Sequence, residues 1–523
     1  MSSSPVRIPV TDVDKFGFIA DTTPQKLQTA AWTKLVNMHT RGGALIVGPV
    51  PVSLLTPAVA PYAIFPAPSN GVYGVYFGLA KARGFSAAAQ ADITRLSGDY
   101  STPALGSWNH AQFHGFGLYN NGVDIPQSWN PVNLTTRLID LPAWPASVRV
   151  KVLRAYKSFL VGLQVTISST TDKRMVKWSD AADPGTLPAS WDETDATRSA
   201  GEVSLAQGDA ELVDCLQYRD VNMVYTSEET WAMRFVGGQA IFDFYRLFDS
   251  VGLLAQDCVT NFRQQQFLVS QDDLVVHNGQ EVLSVADGKV RRWFFQNLNT
   301  TYYYLTRVVH LPESKEIWIF FPTAGQLLDT VLVWNYRLDT WNVRTTEGIR
   351  SAQAMRLQGV SGLDYWDMED EIAWDLSDGI TWDTPGTPRL VTSILTAVPD
   401  VAEDIKIIHP DNTGPMVVEL ERSGIIQISP QEIDEYSYKT LAVLRPLIVA
   451  PEGTVFSIQG GSQDALNSAL LWGDVRTFVV GQDTECELFV TGRYLAFRVT
   501  CTSNARWQWH GHFLEVIQLK EGR

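Results

Sequence analysis

Residues 316–341 read EIWIFFPTAGQLLDTVLVWNYRLDTW: two apolar runs about a Pro-Thr-Ala-Gly turn, with a third run opening at Thr340-Trp341. In the second run Leu332, Trp334, Tyr336 and Leu338 occupy alternate positions. That period of two is what one half-buried strand face requires. The same unit recurs upstream. Residues 221–225 and 230–236 flank Ser227-Glu228-Glu229, with Trp231, Met233 and Phe235 alternating, and residues 266–270 and 274–277 flank Gln271-Asp272-Asp273. Residues 62–65 and 73–79 flank Ser69-Asn70-Gly71, a hairpin turn signal. Residues 113–119 and 158–167 predict two more strands, the first ending at Asn120-Asn121-Gly122. Beyond residue 401 the runs 454–459, 469–472, 477–480, 485–490 and 494–500 predict a compact antiparallel domain closed by WQWHGHFLEVIQL.

Recurrence every roughly 40–65 residues is near the spacing of four-stranded propeller blades. Radial repetition also leaves few sheet edges exposed. The predicted fold class is all-β, an irregular β-propeller with additional antiparallel β domain(s); tandem sandwiches are the alternative. The predicted domains are an N-terminal segment 1–43, propeller blades 44–350, an acidic insert 351–400, and a C-terminal β domain 401–523 packing on or completing the propeller. Helical patterns are confined to 24–38, where Leu27, Ala31, Leu35 and Met38 share a helical face and a strand over 32–38 competes, and to 241–254.

With 523 residues, 45% apolar and 11% aromatic, the chain has material for more than one core. Its 17 tryptophans favour strands and buried interfaces. A net charge of −16 disfavours a general grip on nucleic acid, which needs Lys and Arg against phosphate. Cys215, Cys258, Cys486 and Cys501 are far apart with no CxxC, predicting buried free thiols in a reducing compartment. No secretory leader is evident at the start, and the apolar stretch 44–68 is broken by prolines, so synthesis in the cytoplasm is expected.

Nucleophile elbows, P-loops, dinucleotide-binding glycine motifs and HExxH are absent from the sequence. His110 and His114 lie four apart in a β context and would not converge on a metal; His510 and His512 would share a strand face but have no third ligand. Trp366-Asp367, Trp374-Asp375 and Trp382-Asp383 recur within 364–383, which holds eight acidic and no basic residues. A Ca²⁺ loop is one reading, but the EF-hand ligand order is missing, and an acidic crossover pinned by its tryptophans is preferred. The expectation is no catalytic, cofactor or metal residues.

The stretch 176–195, VKWSDAADPGTLPASWDETD, is a polar loop bracketed by Trp178 and Trp191, predicted to be an anchored excursion between blades with Asp180, Asp183 and Asp192 keeping it solvated. With ETDATRSAGEVSL after it, VNMVYTSEETWAMRFVGG, the 279–285 region, EIWIFFP, VLVWNYRLDTWNVR, the earlier WNHAQFHGFGLYNNGVDIPQSWN and the closing GRYLAFRV…WQWHGHFLEVIQL, it resembles the tail nozzle proteins (tail tubular protein B family) of short-tailed bacteriophages. The likeness spans most of 105–517, and its most diagnostic residues are Trp178, Ser179, Asp180, Pro184, Trp191 and Asp192. The resemblance implies a structural, non-enzymatic virion protein of the tail tip, made in the host cytoplasm. Six copies would ring the tube below the tail adaptor, give fibres an attachment point and meet the host envelope. The ring would be closed before DNA ejection and would pass double-stranded DNA without binding it specifically, with no cofactor or small-molecule substrate. An acidic lumen would repel phosphate and let DNA slide. The competing functions are a propeller-fold tail glycosidase or receptor-degrading enzyme, which needs paired carboxylates at the propeller mouth, and a monomeric adaptor propeller.

Overall fold

The computed structural model describes residues 5–67, 74–86, 89–104, 106–205, 210–238, 240–356, 392–399, 403–409, 412–465, 468–504 and 506–519. The chain is all-β: six four-stranded sheets, and the first four strands of a ten-stranded sheet, form seven blades. Blade 1 is Ala63–Pro66, Gly74–Phe77, Ala82–Phe85 and Gln90–Asp92, and blade 2 is Asn109–Phe113, Phe116–Asn120, Gln127–Trp129 and Ile139–Asp140. Blade 3 is Val148–Tyr156, Phe159–Ile167, Thr170–Trp178 and Gly201–Ser204, and blade 4 is Leu212–Tyr218, Val221–Thr226, Thr230–Phe235 and Phe242–Phe248. Blade 5 is Val259–Phe262, Gln265–Val269, Leu274–His277 and Val282–Ser284, and blade 6 is Arg307–Leu311, Glu316–Phe321, Leu328–Asn335 and Thr340–Ile349. Blade 7 takes Ser351–Arg356, Thr392–Val398 and Asp404–Ile408 from late in the chain and its outer strand, Pro51–Leu55, from the beginning.

Apolar contacts run around the whole ring. Phe77 stacks on Trp108 at 4.0 Å between blades 1 and 2. Phe113 and Leu118 pack with Val150 and Leu153 between blades 2 and 3, and Phe159 meets Phe242 at 4.9 Å between blades 3 and 4. Tyr225 Oη lies 2.8 Å from His277 Nε2 across blades 4 and 5, and Phe267 meets Trp334 at 5.5 Å across blades 5 and 6. Trp318 and Val333 pack with Ile394 and Val398, and Leu395 and Ile405 with Ile64 and Tyr76, so blade 7 joins blade 6 to blade 1. Because each blade is covered on both faces, most positions of its second strand are buried, while the third strand of blade 3, Thr170–Trp178, is buried only at its last three residues. Glu316–Phe321 is buried at every position, where the alternating pattern predicted one wet face.

The two chain ends build a β-sandwich beside blade 6. One sheet orders Met38–Arg41, Ala44–Val47, Gln508–Gln518, Lys439–Val449 and Cys486–Gly492, with Val6–Val10 also on Gln508–Gln518. The other continues blade 6: Thr340–Ile349 pairs in parallel with Lys34–Val36 (Val36 opposite Val343), which pairs with Met416–Ile425, then Tyr494–Ser503 and Val455–Gln463. Trp32, Phe456, Phe497, Trp507 and Trp509 fill the space between the sheets in one core shared with blades 4, 5 and 6.

Several expectations are corrected. Within 24–38 the strand alternative holds over the helical one, as Lys34–Val36, preceded by a three-residue 3-10 turn, Pro24–Lys26; residues within 241–254, read as helical, form the strand Phe242–Phe248. Sheet pairing overrides helical periodicity at both places. The one α-helix among the described residues, Arg291–Asn297, was not expected. Residues 113–119 are not one strand: His114 and Gly115, both at positive φ, make a hairpin turn between two strands of blade 2. The strand at 332–338 stops at Asn335, so Tyr336 and Leu338 lie in a turn. The boundaries at 43, 350 and 400 also move. The segment 1–43 is woven into the sandwich, and blade 7 takes strands from both sides of 400. The acidic Trp-Asp segment 364–383 lies outside the described residues.

Candidate functional site

The inner strands of a propeller converge on its axis, and here five blades meet there through charge. Arg154, on the inner strand of blade 3, holds Asp214 of blade 4 in a two-pronged pair: Nε to Oδ1 at 2.8 Å and Nη2 to Oδ2 at 2.7 Å. It also donates to Asp257, at the entry to blade 5, at 2.6 Å and to the His110 carbonyl of blade 2 at 2.8 Å. Arg307 of blade 6 pairs with the other oxygen of Asp257. The Asp257 amide donates to Asp214 at 2.9 Å. Burial alone would raise the Asp257 carboxyl, but the two guanidiniums hold it below the usual carboxylate range. The His110 imidazole stacks on Phe65 at 5.0 Å with Tyr119 at 6.2 Å, and burial, aided by Arg154, pushes it down to about 4. Nothing in the local sequence marks these residues. They are 43 or more positions apart along the chain in their hydrogen-bonded pairs, and only ring closure assembles them.

A second buried cluster fastens the sandwich to blade 6. His39 Nδ1 lies 2.7 Å from Glu316 Oε1, Trp318 Nε1 donates to Glu316 Oε2 at 2.9 Å, and Arg344 lies over the Trp318 ring at 4.7 Å. Burial would raise the Glu316 carboxyl, but His39, Trp318 and Arg344 together lower it.

The 176–195 stretch sits in blade 3 as the connection between its third and fourth strands, so it is not an excursion between blades. Its two tryptophans point to opposite faces of that blade. Trp178 meets Phe242 of blade 4 edge-on at 5.3 Å, while Trp191 meets Trp144 at 4.6 Å in the core shared with blade 2. Gly201 allows this: a Cβ there would fall 2.5 Å from the Trp178 ring. Ser179 is buried and exchanges hydrogen bonds with Leu160, its amide donating to the Leu160 carbonyl at 3.0 Å and its Oγ accepting from the Leu160 amide at 3.0 Å. Pro184 occupies an exposed turn closed by the Thr186 amide on the Asp183 carbonyl at 3.0 Å. Asp192 is exposed and caps Thr194 (amide at 2.9 Å). Asp180 departs from the expected solvating role. It is buried and accepts from the Ser199 amide (2.9 Å), Ser199 Oγ (2.6 Å) and Arg198 (3.0 Å). Burial raises its carboxyl, and these donors outweigh it to bring it below the ordinary value. Replacing Asp180 by Ala is expected to cost about 1–3 kcal/mol, since three donors lose one acceptor; equilibrium urea unfolding measures it, and an unchanged midpoint counts against this account.

The paired histidines do not make metal sites. His114 lies in the blade 2 turn, away from the Phe65 stack that holds His110. A register shift beside Gly511 leaves His510 outward and turns His512 inward against Trp32, Phe497 and Trp509. Among the described residues no group of three His, Cys, Asp or Glu could hold a metal ion, and no helix is long and apolar enough to cross a membrane. All four cysteines are buried and unpaired; burial pushes Cys215 up to about 12 and Cys486 and Cys501 to about 11, which leaves them as protonated thiols at neutral pH.

Fold and site together define a seven-bladed β-propeller, locked at its axis by ion pairs and extended by a sandwich of both chain ends. No protein-family model and no curated protein matches the chain. Solved structures similar to it include the WD40 repeats of RRP9 (8% identity, TM-score 0.38, covering 69% of this chain and 99% of that one). Another is the WD40 β-propeller domain of Doa1 (11% identity, TM-score 0.38, covering 69% and 97%). A third is the extracellular domain of the putative hybrid two-component system BT4673 from B. thetaiotaomicron (9% identity, TM-score 0.36, covering 85% and 58%). At these values the likeness is too loose to define the fold, which rests on the ring of seven sheets itself.

Proposed function

We propose that the chain is a non-enzymatic structural subunit of the tail nozzle of a short-tailed phage. Six copies form a ring at the tail tip, attached to the tail adaptor and offering a seat for fibres; the ring is closed before ejection and then passes double-stranded DNA without holding it. The observation that carries this reading is the ordered series of nozzle-like phrases along 105–517, which fall on blades 2 to 6 and on the central strands of the sandwich. Two physical features support it. The ion pairs of Arg154 and Arg307 fasten the inner strands of blades 3 to 6 to one another, which makes each subunit a rigid building block for a ring. A net charge of −16 suits a passage from which phosphate must slide free. The glycosidase reading gains nothing at the axis, where Asp214 and Asp257 are both bound by arginine.

Negative-stain imaging and native mass spectrometry, alone and with the adaptor, are expected to give a hexameric ring with an axial constriction. A chain that stays monomeric with adaptor present, a ring with a basic lumen, or polysaccharide cleavage abolished by a single carboxylate substitution would overturn the proposal.

A further inference from the structure

Four consecutive blades end their inner strand on the same two-residue pattern, a buried aromatic and then a basic residue. These are Phe113-His114, Tyr156-Lys157, Tyr218-Arg219 and Phe262-Arg263. The basic residue opens the hairpin turn in each case, and each is in the left-handed region, at φ 49°, 52°, 53° and 41°. Glycine, Asn and Asp are the residues such a turn favours, because a side chain beyond them meets steric cost there. The pattern therefore holds a basic side chain against the local preference of the backbone four times in succession, and in the last three it is a Lys or Arg.

Antiparallel blades of a propeller place all these turns on one rim, next to the axis. The turns are also fastened to one another. Tyr156 Oη donates to the carbonyl of Asp220 in the blade 4 turn, and Tyr218 Oη to the Gln264 carbonyl in the blade 5 turn at 2.6 Å. Each basic side chain rests on an aromatic ring: the His114 ring stacks on Phe113 at 4.1 Å, and the cations of Lys157, Arg219 and Arg263 lie over Tyr156 at 5.7 Å, Tyr218 at 5.0 Å and Tyr336 at 4.7 Å. Lys157, Arg219 and Arg263 are exposed. The carboxylate of Asp220 is 3.9 Å from Lys157, while neither Arg219 nor Arg263 has an ion-pair partner among the described residues.

We propose that this rim is a docking surface for an extended acidic peptide of a partner protein. A preorganised arc of separate cations matches a chain of carboxylates, and arginine forks pair with carboxylates directly. The shape of the charge argues against broader polyanions. The same rim carries the exposed Asp220 of the blade 4 turn and Asp183, next to the Ala182 amide that donates to the Ser158 carbonyl at 2.9 Å, and the whole chain has 57 acidic against 41 basic residues, so a duplex or a flat anionic membrane would meet repulsion around the arc. A thin peptide touches the arc alone.

The test is fluorescence anisotropy of a labelled deca-glutamate peptide titrated with the full chain in low salt. It is repeated with the triple variant Lys157→Gly/Arg219→Gly/Arg263→Gly. Glycine suits φ above zero, so this variant is expected to melt at or above the parent temperature while binding at least tenfold more weakly. If it does not fold, Lys157→Gln/Arg219→Gln/Arg263→Gln is used with the same expected loss. A 20-base-pair duplex and phosphatidylglycerol vesicles are the comparison ligands. Absence of peptide binding, binding unaffected in a folded triple variant, or tighter rim-dependent binding of the duplex or the vesicles overturns the proposal.

Discussion

Replacing Arg154 by Met is expected to destabilise the protein by about 3–5 kcal/mol, the usual cost of stripping one partner from a buried ion network. The magnitude follows from what is left behind. Asp214 has only 2% of its side chain exposed and loses both of its guanidinium bonds, and Asp257 keeps only Arg307. The strain is spread over the ring, because Arg154 also holds the His110 carbonyl of blade 2. Arg154→Lys restores the charge without the two-pronged geometry and is expected to recover part of the loss. Arg154→Met with Asp214→Asn removes one of the stranded charges and is expected to be more stable than Arg154→Met alone. Urea unfolding of the three variants and of Asp214→Asn alone measures this. Additive losses in the double variant would show that Arg154 and Asp214 do not act as a pair.

Acid is expected to weaken the fold well above the range in which carboxylates titrate. Burial pushes His277 down to about 4 and His512 to about 3, the latter with Arg422 adding to the effect, against an ordinary 6.5. The unfolded chain therefore holds more protons than the folded chain between these values, and stability rises with pH across the window. Going from pH 7 to pH 5 is expected to cost roughly 2 kcal/mol for each of these two residues, both of which are 1% exposed. His110, lowered to about 4, acts in the same direction. Asp257, held below its ordinary value, loses its contribution only as pH falls through its folded value. His512→Phe, placed among Trp32, Phe497 and Trp509, is expected to flatten the loss between pH 7 and pH 5 by about 2 kcal/mol. Urea midpoints at the two pH values decide it, and a parent protein equally stable at both would refute the account.

Phrase by phrase, the strands of blades 4, 5 and 6 were legible because each hairpin carries its own turn dipeptide and its own apolar runs. The places where reading failed have a common cause. The 241–254 stretch has helical spacing, but its backbone groups find partners in blade 4; at 24–38, where helix and strand were both open, Glu421 and Glu419 opposite Lys34 and Val36 decide for the strand. At 113–119 the signal was present and misread: His114-Gly115 is a turn, and its basic residue in a left-handed turn recurs in three later blades. Asp180 looked like a solvating residue because its neighbours are polar, while its donors Arg198 and Ser199 come 18 and 19 residues later.

The sequence alone determined the all-β class, the repeating hairpin and the buried free thiols, since these rest on short-range periodicity, turn chemistry and composition. Tertiary structure alone decided the number of blades, the closure of blade 7 by Pro51–Leu55, the interleaving of both chain ends, and the axial meeting of Arg154, Asp214, Asp257 and Arg307. Those features depend on contacts between residues tens to hundreds of positions apart. Periodicity along a strand fixes which side chains share a face, but it carries no record of which distant strand that face will meet.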